Sequence, residues 1–210
     1  MKIINYGHAC FKVIDDGVSI VFDPYRFDSV PGMELPKGIK ANYVFCSHDH
    51  YDHDAFNKVK LEKINQDLNL KEFVIPHDKE GGKKRGMNTA RVVRFSDYSL
   101  CHLGDIGDPN SIKNIDEMKN IDVVLCPING FFTIGALEAI ELQKAMGWKL
   151  LIPMHYHIAR DNSGYPDGEQ IEIFKKNCQT FELDDYELEI NDEIIKRGAL
   201  AFLKRKEREE

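Results

Sequence analysis

Residues His48-Asp49-His50-Tyr51-Asp52-His53 follow directly on the apolar run Tyr43-Val44-Phe45-Cys46. Three imidazoles and an interposed carboxylate, spaced H-x-H-x-D-H, make a donor set suited to zinc, manganese or iron. His48 and His50 share parity, so an extended or gently turning backbone aims both at one ion. Asp52 and His53, past the bend, can address a second ion close by. The bland alternative is a solvated polar loop with chance histidines. Three of the chain's 8 histidines falling within these six residues argues against it.

Composition narrows the classes. A chain of 210 residues makes one large domain or two small ones and can bury a sizeable core. A formal net charge of −7 disfavours nucleic acid as the main partner and leaves a small-molecule substrate as the expectation. The N-terminus lacks the apolar core and cleavage site of a signal peptide, and no apolar run approaches a membrane span. The 5 cysteines are scattered and odd in number, with no disulfide framework, so a reducing cytoplasm is expected. Oligomeric state is left open.

Elements must then deliver these side chains. Ile3 to Tyr6, Ala9 to Ile14 and Val18 to Phe22 read as strands, with Asp15-Asp16-Gly17 as a hairpin turn. Residues 24–40, punctuated by Pro31-Gly32, Pro36 and Gly38, read as a long loop. Asp54 to Asn69 is expected to be helix in part. Strands follow at Phe73 to Pro76, Arg91 to Phe95 and Tyr98 to Cys101. Val123 to Cys126 is apolar throughout, as in a strand covered on both faces. Thr133 is placed to N-cap a helix through Met146, with Ile134, Leu137 and Ile140 on one face and Gly147 past its end. Lys149 to Met154 is a buried strand, and Glu169 to Asn177 an amphipathic helix. The charged tail, 204–210, is expected to fray. With no repeat or linker, one domain over residues 1–210 is expected.

Four strand exits carry metal-type side chains: His48–His53, His77, Asp105 and His155. Strand ends in layered α/β proteins share a rim, so these positions are expected to converge. The pattern His48-x-His50-x-Asp52-His53 with downstream His77, Asp105 and His155 resembles the metallo-β-lactamase fold superfamily. Gly7-His8-Ala9-Cys10-Phe11, Phe22-Asp23-Pro24, His102-Leu103-Gly104-Asp105 and Pro153-Met154-His155-Tyr156 resemble its small bacterial branch that includes ascorbate-6-phosphate lactonase. The resemblance spans roughly residues 3–157. It implies an α/β (α+β) αββα sandwich, two mixed sheets face to face with helices outside and a dinuclear metal site at one edge.

By the same resemblance His48, His50 and His77 hold one ion, Asp52, His53 and His155 hold a second, and Asp105 bridges them. His77 is preferred over His102, which belongs to the motif supplying the bridging Asp. Asp23 matches the carboxylate that orients a ligand histidine, with an Asp-Pro turn as the alternative. His8 is more often a structural histidine than a ligand. Two divalent ions, zinc by default, activate water without a Ser or Cys nucleophile. Asp105 or Asp52 can take the proton released after attack. Lys83, Lys84 and Arg85 could grip an anionic substrate, though charge runs usually face water. Phe131 and Phe132 could wall the pocket or simply pack. Cys46, Cys101 and Cys126 read as small buried hydrophobes.

The function expected is hydrolysis of a small, anionic ester, lactone or phosphodiester. A metal-binding sensor on the same fold and a nuclease of the same superfamily are the alternatives. A closed structural zinc site is usually rich in Cys, and this set has none. The acidic balance weighs against a nuclease. The superfamily's flavin-linked oxygen reductases usually carry Glu where His50 stands. Its glyoxalase-type thioester hydrolases usually add a helical C-terminal domain.

Overall fold

The computed structural model of the chain describes residues 1–156, 169–202 and 204–207. Its first strands are β1 (Lys2–Gly7), β2 (Cys10–Asp15), β3 (Val18–Phe22), β4 (Lys40–Ala41), β5 (Tyr43–Phe45) and β6 (Lys60–Leu61). Then come β7 (Leu70–Pro76), β8 (Met87–Arg94), β9 (Ser99–His102) and β10 (Val123–Pro127), followed by α1 (Ala136–Met146) and β11 (Leu150–Met154). The chain closes with α2 (Glu169–Asn177), β12 (Thr180–Leu183), β13 (Glu187–Glu189), α3 (Asp192–Ile195) and β14 (Ala199–Phe202).

Two mixed sheets result, ordered β13-β1-β2-β3-β5 and β12-β14-β11-β10-β9-β8-β7, with β4 and β6 as a separate pair. The hairpin between β2 and β3 turns on Asp16 (φ 50°) and Gly17 (φ 75°), two positive-φ positions whose twist matches the strands they join. Alternation along the fully buried strands builds two core layers at once. Val123, Leu125, Leu150 and Ile152 face the other sheet, meeting Phe11, Ile20 and Phe22. Val124, Cys126 and Leu151 face outward, meeting Ala139, Ile140 and Leu142 of α1 and Phe174 of α2.

The outer face of the five-stranded sheet is covered differently. There Ile4, Cys10 and Val21 pack against Tyr25, Val30, Leu35 and Ile39 of the long loop, where a helix layer was expected. Among the described residues no helix is long and apolar enough to cross a membrane.

Some expectations fail for identifiable reasons. Residues 54–69 contain one 3-10 turn, Phe56–Lys58, and no α-helix. Their N–H groups pair elsewhere: Lys60 donates to Ile39 O (2.8 Å) and Glu62 to Ala41 O (2.8 Å), which draws the segment out as a strand. Helix α1 starts later than expected, with Gly135 at its N-cap. The Gly135 N–H donates to the Glu138 carboxylate, whereas the Thr133 hydroxyl bonds to Asn129 N and Ile134 O. Leu137 is 53% exposed and lies outside the core. The first part of the tail is docked: Lys206 N–H donates to Asn5 O (2.8 Å) and Arg205 to Gly32 O (2.9 Å). Residues 208–210 lie outside the described residues.

Core and surface apolar positions should respond oppositely to truncation. Ile152→Ala, fully buried between the sheets, is expected to cost about 2–5 kcal/mol in urea unfolding, from lost transfer energy plus a cavity. Leu137→Ala is expected within about 0.5 kcal/mol of the unaltered chain. A large loss at Leu137 would place it in an interface this fold does not contain.

Candidate metal centre

Strand sense explains the gathering. In the five-stranded sheet β1 and β3 both run antiparallel to β2, and β5 runs parallel to β3, so these three exit at the same edge. In the other sheet β7, β9, β10 and β11 share one sense. Directly beyond these exits stand His8, Asp23, the segment 46–53, His77, Asp105 and His155. Three of them turn the chain in the left-handed region: His8 (φ 55°), Asp23 (φ 43°) and His155 (φ 52°). Such non-glycine conformations cost energy and concentrate where a site requires them.

Asp105 occupies the middle. Its Oδ2 lies 3.1 Å from His155 Nε2, 3.3 Å from His77 Nε2, 3.4 Å from His53 Nε2 and 4.0 Å from His48 Nε2. The donor atoms of His48, His50 and His77 lie within 4.8 Å of one another, as do those of His8, Asp52, His53 and His155 and those of His48, His53 and Asp105. All seven residues named as ligands from the sequence are therefore brought together, and His8 joins them. Its Nε2 sits 3.2 Å from Asp52 Oδ2 and its ring centroid 3.9 Å from that of His155. His102 is turned away: Nδ1 accepts the Gly104 N–H (3.1 Å) and Nε2 faces Ala9 O (2.9 Å), with the ring stacked on Phe22.

Asp23 meets His53 directly and reaches His48 through Ser47, a partner that sequence reasoning missed. Its Oδ2 faces His53 Nδ1 (2.8 Å), while Ser47 donates its N–H to Oδ1 (2.6 Å) and its hydroxyl to Oδ2 (2.7 Å). Ser47 Oγ also lies 2.9 Å from His48 Nδ1. With both Nδ1 atoms turned to this buried network, the two Nε2 atoms are left facing inward. Asn88, also missed, is fully buried; its Oδ1 accepts the Asp105 N–H (2.9 Å) and its amide donates to Leu103 O (2.8 Å). The one available signal was a Ser abutting the histidine motif; Asn88 lies in a strand that also carries Thr89, Arg91 and Arg94, so its type did not stand out.

The donor set fits divalent ions. His53 Nε2 and Asp105 Oδ1 are buried without a hydrogen-bond partner, which is costly unless a cation meets them. Burial resists charging His53, but Asp105 and Asp23 outweigh it and hold the imidazole well above its ordinary value. Burial likewise opposes the Asp105 carboxylate, but His155 and His53 outweigh it and hold its carboxyl well below the usual range. Burial pushes His48 down to about 4. Asp23 falls to about 2, as His102 and His53 overcome its burial.

The cluster opens into a cleft of about 240 Å³ whose walls include His50, His77, Arg85, Phe132 and Pro31. Of the basic run only Arg85 reaches it; Lys83 is exposed and Lys84 pairs with Glu80. Phe132 lines the cleft, while Phe131 is 62% exposed. A larger hollow of about 440 Å³ lies beside His8, lined by Phe11, Met154 and Phe202, and among the cluster it touches only His8.

A profile of the Beta-lactamase superfamily domain matches residues 2–155. A UPF0173 metal-dependent hydrolase of Natranaerobius thermophilus is 27% identical over 187 residues, covering 75% of this chain and 84% of its own. One of the same description from Staphylothermus marinus is 28% identical over 212 residues, covering 84% and 90%. Among solved structures, a Thermotoga maritima protein classed with the Zn-dependent hydrolases of the metallo-beta-lactamase superfamily gives a TM-score of 0.69 at 27% identity, covering 96% and 97%. Igni18, a metallo hydrolase of Ignicoccus hospitalis, is alike in fold, with a TM-score of 0.56 at 21% identity over 83% of this chain and 90% of its own.

The raised His53 value has a direct consequence. Asp105 and Asp23 favour a proton on His53 in the ion-free chain, so an ion binding there competes with that proton, and affinity is expected to weaken as pH falls. Zinc titrations in buffers of different ionisation heat should therefore show proton release at pH 7. Binding heats that do not vary with the buffer would contradict this assignment of charge.

Proposed function

The chain belongs to the metallo-β-lactamase superfamily, and from that premise we propose that it hydrolyses a small, anionic ester, lactone or phosphodiester using two divalent ions. His48, His50 and His77 would hold one ion, and Asp52, His53 and His155 the other, with Asp105 between them. Zinc is the default, and five histidines with two aspartates also suit manganese or iron. Bound there, the ions supply an activated water at neutral pH and polarise the scissile carbonyl or phosphoryl oxygen. The single observation carrying this reading is Asp105 Oδ2, set 3.1–4.0 Å from four histidine Nε2 atoms at the floor of an open cleft.

The chain's own groups take the remaining roles. Asp52 is only partly buried and lines the cleft, which suits it to receive the proton released on attack. Asp23 and Ser47 keep two imidazoles in one tautomer and orientation, so that no reorganisation is needed during turnover. Phe132 and Pro31 narrow the cleft and displace water from its walls. Small size is supported by the cleft volume of about 240 Å³, and anionic character by Arg85 on its wall.

Two substitutions separate ligand from support. His77→Ala should lower the zinc content of the purified chain, whereas His102→Asn should leave stoichiometry unchanged and reduce only stability. Against a panel of lactones, phosphodiesters and phosphorylated sugars, Asp105→Ala should cut kcat/KM by more than about a hundredfold, beyond the range for losing a ligand's outer partner. Near-full activity in the Asp105 variant would sink the proposed mechanism.

A further inference from the structure

The loop between β7 and β8 is wound around one carboxylate. Asp78 Oδ1 accepts the N–H groups of Glu80 (2.7 Å) and Gly82 (2.9 Å), and Oδ2 accepts those of Lys84 (2.8 Å) and Arg85 (2.9 Å). The neck is closed by His77 N–H on Gly86 O (3.1 Å) and Gly86 N–H on Gly82 O (3.0 Å). Gly82 and Gly86 adopt φ of 84° and 82°, which the winding requires. Behind it the chain passes in close contact: a Cβ on Gly107 would lie 2.2 Å from Asp78 N. One buried side chain thus fixes both the strand exit carrying His77 and the backbone of Arg85.

Arg85 is held for a purpose that the fold does not consume. Its guanidinium carbon lies 4.7 Å from the Phe132 ring centroid and 5.7 Å from that of Phe131. It lines the cleft with His50, His77 and Asp105, and makes no ion pair with a carboxylate among the described residues. A guanidinium stacked on a ring keeps its N–H edge available, and that edge matches a carboxylate in two parallel hydrogen bonds. Among the described residues no lysine and no second arginine lines the cleft, which suits one monovalent group better than a phosphate dianion.

We propose that Arg85 and Asp78 form a carboxylate-recognition subsite: Arg85 binds a carboxylate carried by the substrate beside its scissile bond, and Asp78 is the positioning residue that aims it. The proposal rests on the hydrolase reading and narrows its substrates to esters or lactones bearing a free carboxylate.

The test uses the full chain loaded with zinc and two metal-chelating probes of similar length, butanohydroxamate and the monohydroxamate of succinic acid. By calorimetry the carboxylated probe should bind about tenfold tighter, the scale of one charge-assisted contact. Arg85→Ala should abolish that preference and Arg85→Lys should keep only part of it, while butanohydroxamate binding and zinc content stay unchanged. Asp78→Asn keeps an acceptor for one pair of N–H groups and turns an amide against the other, so it should lose the preference to a similar degree. Added to Arg85→Ala, it should change nothing further, which a general loosening of the loop would not reproduce.

Equal affinity for both probes in the unaltered chain would overturn the subsite while leaving the metal centre standing. A phosphonate analogue that outbinds the carboxylate would overturn the choice of anion. Asp78→Asn with full preference would remove Asp78 from the proposal. No binding of butanohydroxamate, with no stoichiometric zinc, would instead bring down the hydrolase reading and the subsite with it.

Discussion

A buried carboxylate surrounded by imidazoles is the constraint to which this molecule is built. Asp105 is 2% exposed, and four histidine Nε2 atoms approach its Oδ2 within 4.0 Å. Packing so many polar atoms in one place without water is unfavourable unless charge is compensated there. In the chain alone Asp105 and Asp23 favour the charged form of His53, and divalent ions would compensate the cluster more completely. Stability and chemistry therefore draw on the same cluster.

Holding that cluster takes two scales of structure. At the larger scale, seven strands of common sense within their sheets end at one edge, so residues distant in sequence arrive together. At the smaller scale, polar residues beneath the histidines spend their hydrogen bonds on orientation. Ser47 joins Asp23 to His48, and Asn88 clamps the backbone at Asp105. Gly104 marks how tight this floor is, since a Cβ there would stand 2.1 Å from Asn88 Oδ1 and 2.6 Å from Ser47 Cβ. His102, with both ring nitrogens engaged by backbone, behaves as part of that floor.

The same economy shapes the cleft's outer wall. Asp78 does for a loop what Asp23 does for the histidines, turning an acidic side chain into an organiser of nearby donors. Burial opposes its charge, but the N–H groups of Arg85, Lys84, Glu80 and Gly82 outweigh that and hold its carboxyl down at about 2. Arg85 is thereby separated from Lys83 and Lys84, its neighbours in a run of like charge.

Much of this was legible in the chain itself. Donor type, spacing and strand-exit position, together with the family resemblance, named the seven ligand candidates, apolar runs placed the strands that deliver them, and Gly147 marked the end of the first helix. These are local properties, decided by side-chain chemistry and by periods of two or 3.6 residues. Where several partners compete for one group, local reading failed. Residues 54–69 carry helix-compatible apolar spacing, yet Ile39 and Ala41 offer carbonyls that draw them into an extended path. Thr133 could cap a helix but bonds within its own turn, and Leu137 falls on the exposed side. Ser47, Asn88, His8 and Asp78 gain their roles only through partners brought beside them by the sheets and turns. The sequence by itself determined which atoms are able to bind a metal and roughly where strands present them. Only the tertiary structure decided which nitrogen faces inward and which cation of the basic run reaches the cleft, because each depends on distances between segments that the linear order leaves free.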